Sequence, residues 1–291
     1  MSDNGVIESG EDLVRHAITQ SSNRSIVQSL ASLAETIGSV HLPGWDRIAV
    51  RGITQDSREV HPGYLFVAIK GYVSDGHRFI PDAISRGAAA VVACRDVACS
   101  VPCIRVSDAR SALAALSARF FSHPTRDLFT VGVTGTNGKT TVCHLVGHLL
   151  GDDESIIVGT VSNEAMGMHA VTTPESPIVQ QIALDARAKG RKNLILEASS
   201  AGLALHRLDQ IDFDAAVFTN LTHDHYDFHR DRDAYLQAKL TLFRGLKGGA
   251  AAITRSATGS SALMIAAAPP FKLRKRVSLA CKYASRSRWK S

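Results

Sequence analysis

The residues with the clearest chemical promise lie between Gly132 and Thr141, in the string Gly-Val-Thr-Gly-Thr-Asn-Gly-Lys-Thr-Thr. An apolar segment, Phe129 to Val133, precedes them, and a helical pattern, Lys139 to Leu150, follows. A glycine-rich turn between a strand and a helix presents backbone N–H groups and the positive end of the helix dipole, which together hold phosphate. Gly135, Thr136, Asn137, Gly138, Lys139, Thr140 and Thr141 are therefore the candidate nucleotide-binding residues. In such a loop the Lys139 ammonium reaches the β- and γ-phosphates and the Thr140 hydroxyl faces Mg²⁺. ATP or a close relative is the expected ligand.

The surrounding pattern supplies the elements that would position this loop. Beyond Pro124 short buried strands alternate with helices: Ile156 to Thr160, Leu194 to Leu196 and Ala215 to Phe218 read as strands, and Ile178 to Lys189 reads as a helix. That rhythm predicts a mainly parallel sheet covered by helices, with ligands at the carboxyl ends of its strands. Upstream, Gly63 to Ile69 and Ala88 to Ala93 read as strands, and Ile80 to Arg86 and Ala109 to Ser122 as helices, so a smaller α/β domain is expected over 43–123. The central domain is expected over 124–252. Residues 1–42 read as an extension ending in an amphipathic helix, and 253–291 as a basic tail without regular structure.

Charge and composition exclude several classes. The chain has 291 residues and a formal charge of +6, but from residue 251 onward it carries nine Lys or Arg and no Asp or Glu. The first 250 residues hold 24 basic and 27 acidic side chains, so no nucleic-acid partner is expected. No stretch approaches the roughly 20 apolar residues that span a bilayer. The N-terminus lacks the basic and apolar regions of a signal peptide. Five cysteines match neither a metal-site spacing nor a disulfide framework, and they read as thiols of a reducing cytoplasm. A cytoplasmic monomer is the expectation.

Three further blocks follow the phosphate loop in order: Leu196-Glu197-Ala198-Ser199-Ser200, Thr219 to His229 (T-N-L-T-H-D-H-Y-D-F-H), and Tyr235-Leu236-Gln237-Ala238-Lys239. With T-G-T-N-G-K-T-T they resemble the Mur ligase family, ATP-dependent amide-bond ligases of peptidoglycan synthesis. The resemblance implies that Glu197 and His225 bind a metal, that Ser199 contacts a muramoyl substrate, and that Lys239 is carbamylated and so becomes an anionic metal ligand. Catalysis would then rest on Lys139, Lys239, His225 and Glu197, with Thr140 also on the metal. A carboxylate and an imidazole suit Mg²⁺ or Mn²⁺. Taken singly, Glu197 reads as a surface acid, His225 as a loop histidine and Lys239 as an exposed helical lysine.

The upstream domain resembles the uridine-binding domain of the family's tripeptide synthetases, through Gln55-Asp56-Ser57-Arg58 and Gly71 to Ile80. By that likeness Ser57, Tyr72, Val73 and Ser74 would touch UDP, and Thr172, Thr173 and Arg207 would hold the muramoyl dipeptide. The implied reaction adds meso-diaminopimelate or L-lysine to UDP-N-acetylmuramoyl-L-alanyl-D-glutamate. Ala201 stands where the family has histidine, and Leu205 where glutamine is common, which replaces two hydrogen-bonding groups by apolar ones. The likeness fades near Gly248, before the third domain that holds the amino acid in the family. The alternatives are a binding module for ATP and a UDP-sugar that does not turn over, and a basic-tailed interaction protein.

Overall fold

The computed structural model describes residues 26–39, 42–72, 74–165, 168, 171–222, 228–255 and 263–267. Its described residues form two compact units, one drawn from Ser21–Pro124 with Ser176–Gln181, the other from Thr125–Glu175 with the residues from Ile182 onward.

In the first unit a two-stranded antiparallel pair, β1 (Gln28–Ser29) and β2 (Ala49–Val50), accompanies a parallel sheet of β3 (Gly52–Thr54), β4 (Tyr64–Val67), β5 (Ala90–Ala93) and β6 (Cys103–Arg105) in that order. Helix α1 (Leu30–Thr36) starts at Ser29, whose hydroxyl accepts from Ser32 N–H at 3.2 Å, a standard N-cap. Here the expectation for 1–42 needs correction, because residues 26–39 belong to this unit and are not a separate extension. Leu30 and Leu33 are fully buried, α1 packs on α3 (Ala109–Phe120), and Arg119 donates to Ser32 Oγ at 2.9 Å. One sheet face is closed by Phe66, Val91 and Ala93 packed with Ile80 and Ala83 of α2 (Ile80–Ser85). The three-residue strands β3 and β6 were too short to register as periodic patterns.

The second unit is built on a six-stranded sheet in the order β12-β11-β10-β7-β9-β8. The strands are β7 (Phe129–Thr134), β8 (Ser155–Val158), β9 (Asn193–Glu197), β10 (Phe213–Phe218), β11 (Leu246–Arg255) and β12 (Leu263–Ala267). All neighbours are parallel except β11 and β12. Every residue of β9 is buried, as a strand covered on both faces requires. Helix α4 (Lys139–Leu150) lies on one face, where Gly147 lets it approach Ile157 and Ile195 closely. Helix α8 (Arg232–Arg244) lies on the other, with Leu242 against Gly132. The connections between strands also carry α5 (Thr160–Ala165), α6 (Ser176–Ala188) and α7 (Ser200–Ala204), the last packed on α8.

The expected domain end at 252 is also corrected. β11 continues to Arg255 and β12 pairs with it over 263–267, inside the region expected to be tail. Gly248 and Gly249 interrupt the apolar pattern at a register shift between β10 and β11, and Gly249 takes φ 83°, so one strand reads as two fragments.

Among the described thiols Cys143 is buried and Cys103 partly so. Burial pushes Cys103 up to about 11, with Cys99 beside it adding to the effect, and burial raises Cys143, on the sheet side of α4, well above the ordinary thiol range. Cys94 is exposed. A thiol whose pKa is raised from 9.0 to about 11 holds roughly a hundredfold less thiolate at pH 8. In the native protein at pH 8, a disulfide reagent such as DTNB is therefore expected to label Cys94 rapidly, Cys103 more slowly, and Cys143 only after denaturation. Mass mapping of the modified peptides checks this, and fast native labelling of Cys143 would contradict the burial assignment.

Candidate active site

β7 is central, with β9 on one side and β10 on the other, so the chain segments leaving all three strands meet at one sheet end. Such a point of diverging connections is where open α/β sheets bind ligands.

The phosphate loop leaves β7 at Thr134. Gly135 has φ 147°, and a Cβ there would run into Thr219 Oγ1, so both backbone and space demand glycine. Gly138 caps α4 with φ 81°, in the left-handed region. Lys139 folds back over the loop, its ammonium donating to Thr136 O at 2.9 Å and Gly135 O at 3.2 Å. Thr140 is half-buried in the first turn of α4, and Asn137 and Thr141 are exposed.

Lys239 approaches the same carbonyl from below. It lies on α8 with only 1% of its surface exposed, and its ammonium donates to Gly135 O at 2.7 Å. The ammonium also sits 4.4 Å from the centre of the Tyr235 ring, a cation–π contact between residues one helical turn apart. Tyr235 is itself fully buried, and its hydroxyl lies 3.1 Å from Thr136 Oγ1. The exposed-lysine reading of Lys239 is therefore corrected. A carbonyl acceptor and an aromatic face take the place of water around its charge.

The reading of Glu197 as a surface acid is corrected as well. It closes β9 in register with Val133, is 2% exposed, and lies against Gly159, where any Cβ would displace it. Its carboxylate accepts from Thr160 N–H at 3.1 Å and faces the Thr160 hydroxyl at 3.5 Å. That hydroxyl also lies 3.3 Å from Thr172 Oγ1. Thr173 donates its single hydroxyl proton to Glu197 O at 2.7 Å. Its 2.9 Å contact with Ser199 Oγ must then be donated by Ser199. Since Ser199 Oγ also accepts from Gly202 N–H at 3.0 Å, capping α7, it can offer a ligand only an acceptor. Arg207 binds Thr173 O at 2.8 Å and Glu175 Oε1 at 2.7 Å, which ties down the 172–175 turn. Ala201 and Leu205 are half-buried in and just after α7.

The candidate uridine residues lie in the first unit, after the adjacent parallel strands β3 and β4. Ser57 is buried and hydrogen-bonded to Asp82, and this bond is the main cause holding the Asp82 carboxyl below its ordinary value. Tyr72, 77% exposed, and Ser74 stand on a tight turn closed by Gly71 N–H to Ser74 O at 2.8 Å. Val73 and His225 lie outside the described residues.

Sequence reasoning missed Thr160, Tyr235, Thr219 and Asn220 as parts of the site. Tyr235 could have been found from its i,i+4 spacing to Lys239. The other three depend on which strands are neighbours.

A phosphate loop on the central strand of a parallel sheet, with a buried acid on the next strand, defines a phosphate-loop α/β protein. Residues 133–286 match the Mur ligase middle domain, and residues 49–121 match a domain described as Mur ligase family, catalytic domain. The chain belongs to the Mur ligase family. It is 40% identical over 214 residues to the UDP-N-acetylmuramoyl-L-alanyl-D-glutamate--2,6-diaminopimelate ligase of Caldanaerobacter subterraneus subsp. tengcongensis, covering 71% of this chain and 44% of that protein. It is 41% identical over 225 residues to the ligase of the same name from Geobacter sulfurreducens, covering 75% and 44%. A solved structure of a ligase of that name superposes with a TM-score of 0.68 at 26% identity, covering 81% of this chain and 54% of that one. The MurF ligase of Thermotoga maritima, solved in complex with ADP, superposes with a TM-score of 0.52 at 26% identity, covering 71% and 46%. The chain thus spans less than half the length of these curated relatives.

Proposed function

We propose that this chain carries the nucleotide and muramoyl sites of an ATP-dependent ligase that joins a diamino acid to UDP-N-acetylmuramoyl-L-alanyl-D-glutamate. The observation that carries the reading is the meeting of two ammonium groups, Lys139 and Lys239, on the Gly135 carbonyl, with buried Glu197 ending the adjacent strand in register with Val133. Amide formation from a carboxylate brings several anions together, and fixed cations with a helix N-terminus offset their repulsion. The names of the relatives support the choice of acceptor and of 2,6-diaminopimelate over lysine.

In this reading a carboxylate oxygen of the acceptor attacks the γ-phosphorus of ATP, and ADP leaves. The amine then attacks the acyl phosphate carbon, losing a proton as inorganic phosphate departs. Lys139 holds the transferring phosphoryl group. Thr173, Ser199 and Arg207 shape the muramoyl side, with Ser199 accepting from a substrate N–H or O–H.

Among the described residues no three His, Cys, Asp or Glu side chains converge as a metal cage. Glu197 and Thr140 nevertheless fit Mg²⁺, which takes one or two hard protein oxygens and completes its shell with phosphate and water. When bound, Mg²⁺ would neutralise charge on the phosphates. His225 and a carbamate on Lys239 are the further ligands proposed; the carbamate would replace the Lys239 ammonium and its bond to Gly135 O by an anionic oxygen ligand, leaving Lys139 and the helix N-terminus as the fixed positive groups.

No helix among the described residues is long and apolar enough to cross a membrane. A cytoplasmic reaction on a UDP-linked acceptor is part of this proposal, supported by the names of the relatives.

Titration of the 291-residue chain tests the reading. Separate saturable binding of Mg-ATP and of UDP-N-acetylmuramoyl-L-alanyl-D-glutamate is expected. Tyr72→Ala should weaken the second about tenfold, the scale of one lost base stack, and leave the first unchanged. A folded chain that binds neither ligand would overturn the proposal.

A further inference from the structure

We infer that Asn220, assisted by Thr219, is a positioning residue that sets the shape of the phosphate loop before the nucleotide arrives; this rests on the nucleotide reading above. The segment leaving β10 runs along the loop leaving β7 and continues the ladder beyond the sheet. Thr219 N–H donates to Thr134 O at 2.9 Å, and Thr136 N–H donates to Asn220 O at 3.0 Å. Thr222 N–H then donates to Thr136 Oγ1 at 3.0 Å.

At Asn137 the backbone ladder is replaced by a side chain. Asn220 Oδ1 accepts from Asn137 N–H at 3.0 Å, while Asn220 Nδ2 donates to Asn137 O at 3.0 Å. The carboxamide therefore pairs with the Asn137 peptide as another peptide group would. Thr219 Oγ1 adds a second donor to Asn137 O at 2.7 Å.

Two consequences follow from elementary hydrogen-bond accounting. The Asn137 N–H is turned into the protein, so it is withdrawn from phosphate, and that role falls to later amides, those of Gly138 and the first turn of α4, and to Lys139. The loop between the flexible residues Gly135 and Gly138 is also ordered in advance, which removes an entropic cost that a ligand would otherwise meet. Neither role is available to a residue that only fills space, because both depend on one donor and one acceptor in fixed places.

The arrangement predicts an order among variants of the full chain, read by calorimetry with Mg-ATP and Mg-ADP. Asn220→Ala and Thr219→Val should each weaken both nucleotides about tenfold, the scale of one or two lost hydrogen bonds. Asn220→Asp should weaken them further than Asn220→Ala, although it keeps the size, because a carboxylate oxygen then faces the Asn137 carbonyl. Thr219→Ser keeps the hydroxyl and should bind as wild type does. Binding of UDP-N-acetylmuramoyl-L-alanyl-D-glutamate should not change in any of them. Hydrogen exchange supplies a second readout that needs no ligand, since the Asn137 amide should lose protection in Asn220→Ala while the amides of β7 keep theirs.

Wild-type affinity and wild-type Asn137 protection in Asn220→Asp, with binding lost in Lys139→Ala, would overturn the positioning role alone. Undiminished binding in Lys139→Ala would instead remove the phosphate-loop reading on which it rests.

Discussion

Replacing Lys139 by alanine is expected to weaken Mg-ATP binding well over tenfold, with little change in melting temperature. The ammonium is held by two carbonyl oxygens, at 2.9 and 3.2 Å, so it is already placed over the loop and gives up little freedom when phosphate binds. A hydrogen bond to a charged partner contributes about 1.5–3 kcal/mol, which corresponds to roughly ten- to 150-fold in affinity. Lys239 does not substitute for it. That ammonium is buried beneath the loop against Gly135 O and the Tyr235 ring, and reaching the phosphates would mean breaking both contacts. Calorimetry of the two proteins checks the prediction, and equal dissociation constants would end the assignment of this loop to nucleotide.

Gly135→Ala should be more damaging still, because it disturbs the loop and the segment that braces it together. The backbone at φ 147° is one that side chains rarely adopt, and the new methyl would collide with Thr219 Oγ1 and lie 3.1 Å from Asn220 N. Strain of about 1–3 kcal/mol for the backbone and a similar 1–3 kcal/mol for overpacking is a large part of an ordinary domain's stability. The expected result is a marked fall in the urea midpoint together with loss of detectable ATP binding. Gly138→Ala is the control, since Gly138 also has positive φ, 81°, but no atom lies within 4 Å of its added methyl. It should cost only about 1–2 kcal/mol. Equal destabilisation by the two variants would show that the contact with Thr219 is not what makes Gly135 necessary.

Local pattern made the phosphate loop legible. An apolar strand, a glycine-rich turn and an amphipathic helix are contiguous, and the helix spans Lys139–Leu150 as expected from periodicity alone. Glu197 and Lys239 were legible as candidates only through the family likeness. Their burial was not, because what compensates each charge comes from distant chain: Thr160 for Glu197, Gly135 and Tyr235 for Lys239. The brace by Thr219 and Asn220 was invisible for a related reason. It exists because β10 lies next to β7, and sequence order does not state which strands pair. β12 escaped notice because its apolar run ends at Pro269-Pro270 and its partner is an alanine-rich stretch after two glycines. Both segments look weak alone and become a hairpin edge only in each other's presence.

The placement of β7 between β9 and β10 has a bearing on how this protein tolerates change. Adjacent strands keep a spacing of about 4.8 Å whatever their side chains, because hydrogen bonds between peptide groups set it. The separation of Glu197 from the phosphate loop, and of Asn220 from Asn137, is thus measured out by the main chain. Core residues such as Val131, Ile195 and Ala215 can drift to other apolar residues of similar volume, and the acid and the loop will still meet at the same distance. The core of such a sheet can accordingly be exchanged piece by piece without moving the residues at its carboxyl end out of step.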